Sequence, residues 1–171
     1  MKNIMLDIET LGSSSNAAII SIGAVYFDKQ GLGREFYRNI DFDSSLLAGG
    51  TVCGETLKWW FQQNEYARSS LLTNQKPLRD VLIEFREFCA PDAKVWGNGV
   101  GFDNTILASA YKRLYMNTPW AFYNDRCYRT IKNLFSDIEL ERLGIHHNAL
   151  DDAKSQANHL IAIANQYGVE L

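Results

Sequence analysis

A chain of 171 residues, 46% of them hydrophobic and with charges of both signs interspersed, suits one globular domain with a real core. A formal net charge of −3 argues against broad electrostatic capture of a nucleic-acid duplex, and no apolar run approaches the length of a membrane span. Three widely spaced cysteines (Cys53, Cys89 and Cys127) fit no zinc or redox spacing and read as buried free thiols in a reducing, cytoplasmic compartment.

The start, Met1-Lys2-Asn3-Ile4, leads straight into a strand pattern, so neither a signal peptide nor an anchor is expected. Residues 3–8 read as a strand, the Ile- and Val-rich stretch 18–28 as a second, and 33–40 as a third after the Gly31-Leu32-Gly33 turn. Together they predict an antiparallel meander. Helical composition covers 55–71, with a break near Asn64. Residues 78–89 place Leu78, Val81, Leu82, Phe85, Phe88 and Cys89 on one helical face. Lys94-Val95-Trp96 is a short strand that ends in a glycine-rich segment. Helices follow at about 102–115, 127–135 and 148–166. No repeat, low-complexity tract or long linker divides the chain, so residues 1–171 are read as a single domain. Strands first, then helices alternating with a strand, give an α/β class: a sheet with helices packed on it.

Three segments carry acidic residues of interest. Asp7-Ile8-Glu9-Thr10 closes the first strand. Strand side chains alternate, so Asp7 and Glu9 share one face while Ile4, Leu6 and Ile8 take the other. Taken alone, such a pair is better read as solvated strand-end acids. In Asn98-Gly99-Val100-Gly101-Phe102-Asp103, helical spacing runs from Asp103 to Ile106, Leu107, Ala110 and Leu114. Asp103 therefore sits inward in the first turn. Complementing the helix dipole would explain its position along the helix but not its direction.

The third segment, Gly144 to Ala153, holds two His-to-Asp pairs of equal spacing. Asp151 groups with Lys154, Ser155, Asn158 and His159 on a side expected to face solvent. Asp152 groups with Ala149, Ala153, Gln156, Leu160 and Ile163 on the packed side. The inward acid is the better metal ligand, and His147 precedes it on the loop. His146 and Asp151 read as surface residues, Asp151 also serving the helix N-terminus. Four inward carboxylates from three segments would repel one another severely in one cleft. Divalent cations resolve that repulsion, and an all-carboxylate set favours Mg²⁺ or Mn²⁺ over zinc.

DIET at 7–10, N-x-x-x-F-D at 98–103 and H-N-A-L-D-D-A at 147–153 resemble the DEDDh branch of the DnaQ-like, or RNase T-like, exonucleases. The resemblance covers nearly the whole chain. It implies an RNase H-like mixed sheet, two bound metal ions and release of nucleoside 5′-monophosphates from a 3′ end. By motif match, Asp7, Glu9, Asp103 and Asp152 are the metal carboxylates, with Asp7 bridging, and His147 is the general base. The Thr56–Gln63 segment with Ala67-Arg68, and Asn124–Thr130, are similar to a compact bacterial and phage 3′–5′ exoribonuclease subgroup. That favours RNA over the alternative of single-stranded DNA. Gly-Ser-Ser-Ser at 12–15 departs from the loop many relatives carry.

The resemblance further suggests that Leu11 and Gly12 meet the terminal nucleotide. Trp59 and Trp60 cannot both face one side of a helix. One belongs in the core, and Trp60 is the candidate for stacking on a base, with structural packing an equal reading. Phe102 is a candidate wedge near the last two bases, with core packing the slightly stronger reading, and Arg129, before Arg126, a candidate phosphate contact. Small relatives pair into dimers, which implies a homodimer. A reading from another class is a catalytically silent nucleic-acid-binding module on the same fold. The intact acids and His147 count against it.

Overall fold

A computed structural model describes residues Met1–Leu171. Asn3–Thr10 forms β1, Ile19–Asp28 forms β2 and Gly31–Asn39 forms β3. β2 pairs antiparallel with both β1 and β3, which is the expected meander. Lys94–Gly97 forms β4 and Asp125–Cys127 forms β5. β4 lies parallel to β1, and β5 parallel to β4, giving a mixed sheet of order β3-β2-β1-β4-β5.

The helices are α1 (Phe42–Leu47), α2 (Gly54–Phe61), α3 (Glu65–Ser70), α4 (Leu78–Phe88), α5 (Asp103–Arg113), α6 (Tyr128–Leu134) and α7 (Ala149–Tyr167). The expected break near Asn64 is the boundary between α2 and α3, where the Asn64 side chain accepts from Tyr66 N. Three elements carried no signal of their own. α1 is six residues long, β5 is three, and a 3₁₀ turn at Phe122–Asn124 is three. Elements this short show too little periodicity to stand out.

Both faces of the sheet are covered. Ile4, Leu6 and Ile8 of β1 pack with Val81, Leu82 and Phe85 of α4 and Ile106, Leu107 and Ala110 of α5. Met5, Val25 and Phe27 on the other face pack with Ala153, Ala157 and Leu160 of α7. From Ile4 to Leu6, β1 is therefore apolar on both faces, as expected for a strand inside a two-sided layer.

Two glycines set the approach of the helices that carry acids. A Cβ on Gly23, opposite Asp7 in the β1–β2 register, would lie 2.2 Å from the Ala149 backbone, so the first turn of α7 rests directly on the sheet. A Cβ on Gly97 would lie 2.3 Å from Asn104 Oδ1 and 3.1 Å from Asp103 Cβ, so glycine lets the start of α5 sit against β4 without displacing either side chain. No helix is long and apolar enough to cross a membrane.

Two expectations need correction. The side of α7 carrying Ser155 and His159 does not face solvent: both are buried. His159 accepts from Tyr128 Oη at 2.6 Å and donates from Nε2 to Ile138 O at 2.8 Å. Ser155 Oγ accepts from Leu143 N. Helix α6 and the coil before α7 fold over this side and supply polar partners, which one helix's periodicity cannot reveal. Of the three cysteines only Cys89 is buried, and burial pushes its thiol up to about 12. Cys53 and Cys127 sit half-buried at the N-caps of α2 and α6.

Candidate active site

Asp7 and Glu9 leave β1 on the α7 side of the sheet, Asp103 is the first residue of α5, and Asp152 lies in the first turn of α7. These segments converge on a cleft of about 430 Å³ whose lining includes all four acids and His147. Carboxylate oxygens of Asp7, Glu9 and Asp152 lie within 4.8 Å of one another. Asp103 approaches from the other side of β1, and its Oδ1 accepts from Ile8 N at 3.3 Å.

Glu9, Asp103 and Asp152 are each less than a tenth exposed. Burial and the neighbouring charges of Asp103 and Asp152 hold Asp7 well above the usual carboxylate range. Burial, then Asp7, Asp152 and Asp103, do the same to Glu9. Burial pushes Asp103 up to about 7 against the hydrogen bond from Ile8. A cluster arranged this way disfavours its own ionised form. A divalent cation reverses that balance, and the donors are all oxygens, so these residues fit Mg²⁺ or Mn²⁺.

His147 stands on the loop before α7 in a left-handed conformation, φ 68°, uncommon for a non-glycine residue. Its backbone N–H donates to Asp152 Oδ2 at 2.8 Å. Asn148 caps α7 by accepting from Leu150 N and Asp151 N. Asp151 lies in the first turn of α7, where an acid suits the helix N-terminus, and its carboxylate accepts from Ile145 N at 2.8 Å and ties down the preceding loop. The His147 ring packs edge-on to Trp59, 4.7 Å between centroids. Burial and the adjacent His146 hold the imidazole below its ordinary value.

The structure overturns the choice of Trp60 as the base-stacking candidate. Trp60 is buried, donates from Nε1 to Thr10 O at 2.8 Å and packs with Leu11, Ala18, Ile20 and Leu71. Trp59 lines the cleft instead. Leu11 is in the same buried cluster as Trp60, whereas Gly12, Phe102 and Arg129 line the cleft. Arg126 is turned away and donates to the carbonyls of Tyr123 and Asp125. His146 is exposed, as expected of a surface residue, but it too lines the cleft and stacks on His147.

Three cleft residues were not singled out from sequence. Gln156 donates from Nε2 to Asp7 Oδ1 at 2.8 Å. Its place four residues after Asp152, on the same helical face, was the available signal. Arg142 donates to Asp152 Oδ1 at 3.0 Å from a coil with no periodicity, and nothing in sequence marks it. Lys132 lines the cleft one turn after Arg129 on α6. Arg129, Lys132 and Arg142 give the cleft cationic groups beside its acids.

The mixed five-stranded sheet with flanking helices is similar to RNase H-like exonuclease folds. It matches Exonuclease X in complex with 5′-overhanging duplex DNA at 16% identity, covering 98% of this chain and 94% of that one, with a TM-score of 0.63. The nuclease domain of 3′hExo, a DEDDh family member bound to rAMP, matches at 11% identity over 96% and 92% of the two chains, TM-score 0.61. S. pombe Pop2p in its Mg²⁺- and Mn²⁺-bound form matches at 17% identity over 98% and 84%, TM-score 0.59. No curated protein matches the sequence. The class that fold and family define is the 3′–5′ exonuclease, an enzyme acting on nucleic acid. Within it, the chain belongs to the Rv2179c-like 3′–5′ exoribonuclease domain family, whose model matches residues 2–164.

Proposed function

We propose that this exonuclease hydrolyses single-stranded RNA from its 3′ end, releasing nucleoside 5′-monophosphates. The observation that carries the reading is the convergence of four carboxylates and one imidazole in a single cleft that also holds cationic and aromatic side chains. RNA rather than DNA rests on the exoribonuclease family to which the chain belongs.

Asp7, Glu9 and Asp152 would hold one divalent cation. Asp7 and Asp103 would hold a second. When bound, the two ions supply charge neutralisation at the scissile phosphate and at the leaving oxygen. The protein's own groups do the rest. His147, kept neutral by its surroundings, accepts the proton of the attacking water at an imidazole nitrogen. The His147 N–H and Arg142 orient the Asp152 carboxylate. Gln156 fixes Asp7. Arg129 and Lys132 meet substrate phosphates, and Trp59 and Phe102 offer faces on which unpaired bases stack. Gly12 lines the cleft where the terminal nucleotide would sit.

The small negative net charge suits this division of labour. With little long-range electrostatic grip, binding depends on the cleft itself and on stacking, and stacking requires unpaired bases. The free thiols suit a reducing cytoplasm. The test is a time course on a 5′-labelled single-stranded RNA with Mg²⁺, run beside matched DNA, blunt duplex and 3′-blocked strands. A ladder shortening by single nucleotides, fastest on RNA and stopped by the 3′ block, is expected. Internal fragments, or cutting of a circular strand, would refute end-directed cleavage. Equal rates on RNA and DNA would refute the preference.

A further inference from the structure

Asp152 belongs to two potential ligand groups at once. One is the all-oxygen set with Asp7 and Glu9. The other is His146, His147 and Asp152, whose ligand atoms also lie within 4.8 Å of one another. The second set has a different chemistry: two imidazole nitrogens and one carboxylate.

Its geometry comes from the loop. Consecutive residues in extended chain point their side chains apart. The left-handed conformation at His147, φ 68°, instead brings the two rings together, 3.7 Å between centroids and 26° between planes. Stacked rings send their in-plane lone pairs nearly parallel, but His146 is exposed and has no hydrogen-bonding partner in the protein, so it turns out of the stack at little cost to aim a nitrogen at the same ion as His147. Trp59 backs the His147 ring and holds it at the cleft wall.

We propose that His146, His147 and Asp152 form a distinct, inhibitory site for Zn²⁺. Imidazole and carboxylate donors suit Zn²⁺, which binds three protein ligands and a water in tetrahedral geometry. Mg²⁺ prefers oxygen in octahedral geometry and passes this set by. Imidazole donors also hold Zn²⁺ more tightly than Mg²⁺ or Mn²⁺, the ions the oxygen set suits. Loading the site removes two groups from the proposed reaction. The His147 lone pair is no longer available to accept a proton, and Asp152 is drawn from the carboxylate set. Arg142 must release Asp152, and its side chain is half exposed, so water takes over its contacts at little cost. Zinc binding stands on this geometry alone; the inhibition rests on the exonuclease reading above.

The experiment has two arms on the full chain. Calorimetric titration of Zn²⁺ into Mg²⁺-saturated protein should show one Zn²⁺ bound by the wild type. His146→Ala and His146→Gln should each weaken that binding by about 10–100-fold or more, since loss of an outer-shell partner alone costs that much. Co²⁺ bound in place of Zn²⁺ should give the visible absorption of a tetrahedral site, lost in both variants. In the second arm, hydrolysis of single-stranded RNA with Mg²⁺ should be stopped by Zn²⁺ in the wild type and continue in the variants at the same Zn²⁺ concentration. No Zn²⁺ bound in the presence of Mg²⁺, or equal Zn²⁺ affinity in wild type and variants, overturns the site. Zn²⁺ bound with hydrolysis undiminished, or equal inhibition of all three proteins, overturns the inhibitory role. Zinc binding that depends on His146 in a protein inert toward every nucleic acid would sink the exonuclease reading and leave the site standing.

Discussion

Gln156 on α7 donates a 2.8 Å hydrogen bond to Asp7 on β1, 149 residues away in sequence. Gln156 is buried, and its Oε1 has no partner. The bond favours the ionised form of a carboxylate that burial and two neighbouring acids otherwise push toward neutrality. It also fixes which way the Asp7 oxygens point. Gln156→Leu should raise the Mg²⁺ concentration for half-maximal activity by about 10–100-fold, the usual penalty for losing an outer-shell partner. At saturating Mg²⁺ the rate should recover most of its wild-type value. A Mg²⁺ titration of initial rates checks this, and an unchanged half-saturation would deny Gln156 the role.

Asp7→Asn and Asp103→Asn should each abolish hydrolysis. Both should also raise the melting temperature of the metal-free protein. Each replacement removes an acid whose ionised form burial disfavours despite a nearby arginine, and losing that cost stabilises the metal-free fold near neutral pH. Thermal melts in chelator, paired with RNA digestion in Mg²⁺, test both halves. Full activity in either variant would remove that residue from the ligand set.

His147→Ala should slow the chemical step by about 10²–10⁴-fold, the usual contribution of a positioned general base, with KM little changed. His146→Ala should be mild in the absence of zinc. Burial and His146 hold the His147 imidazole below its ordinary value, so the wild type keeps the base form at neutral pH. Reversed effects of the two substitutions would put the register of the third motif in error.

Metal-free stability should fall as pH rises. Asp7, Glu9 and Asp103 all have folded-state values above those of the unfolded chain. A raised group contributes stability that is fully present below its unfolded value and is lost as pH rises through its folded value. For Asp103 that window runs from near 3.8 to about 7. His147 is shifted the other way and contributes stability that is lost as pH falls below its ordinary value near 6.5. It is one half-buried group against the buried Glu9 and Asp103 and the partly buried Asp7, so the carboxylates dominate. Melting temperatures in chelator should therefore decline from about pH 5 to pH 8, and Mg²⁺ should offset much of the decline. A metal-free protein most stable at pH 8 would contradict the buried-acid account.

Trp60→Ala should cost about 3–5 kcal/mol of stability, as expected for a large aromatic removed from a core. It also leaves the Thr10 carbonyl without its indole donor. Trp59→Ala should change stability far less and weaken single-strand binding by about 1–3 kcal/mol, the worth of one stacked base. Denaturant melts and binding of a non-hydrolysed single strand separate the two. A stable, weakly binding Trp60 variant would reverse the assignment.

The sequence determined the elements whose signal is local. The alternation in β1 put Asp7 and Glu9 on one face, and the spacing of α4 named its buried residues before any contact was seen. The helical phase of α7 separated Asp152 from Asp151. Motif order then tied three segments to one family. The tertiary structure decided what depends on neighbours distant in the chain. It chose Trp59 over Trp60 for the cleft, because the indole N–H of Trp60 finds the Thr10 carbonyl at the end of β1. It buried His159 and Ser155, because α6 and the coil before α7 close over them. It brought Arg142, from a coil without pattern, onto Asp152. Periodicity reports which face of an element is apolar. It carries no information about which polar group from elsewhere will arrive to satisfy a donor, and that arrival is set only when the layers pack.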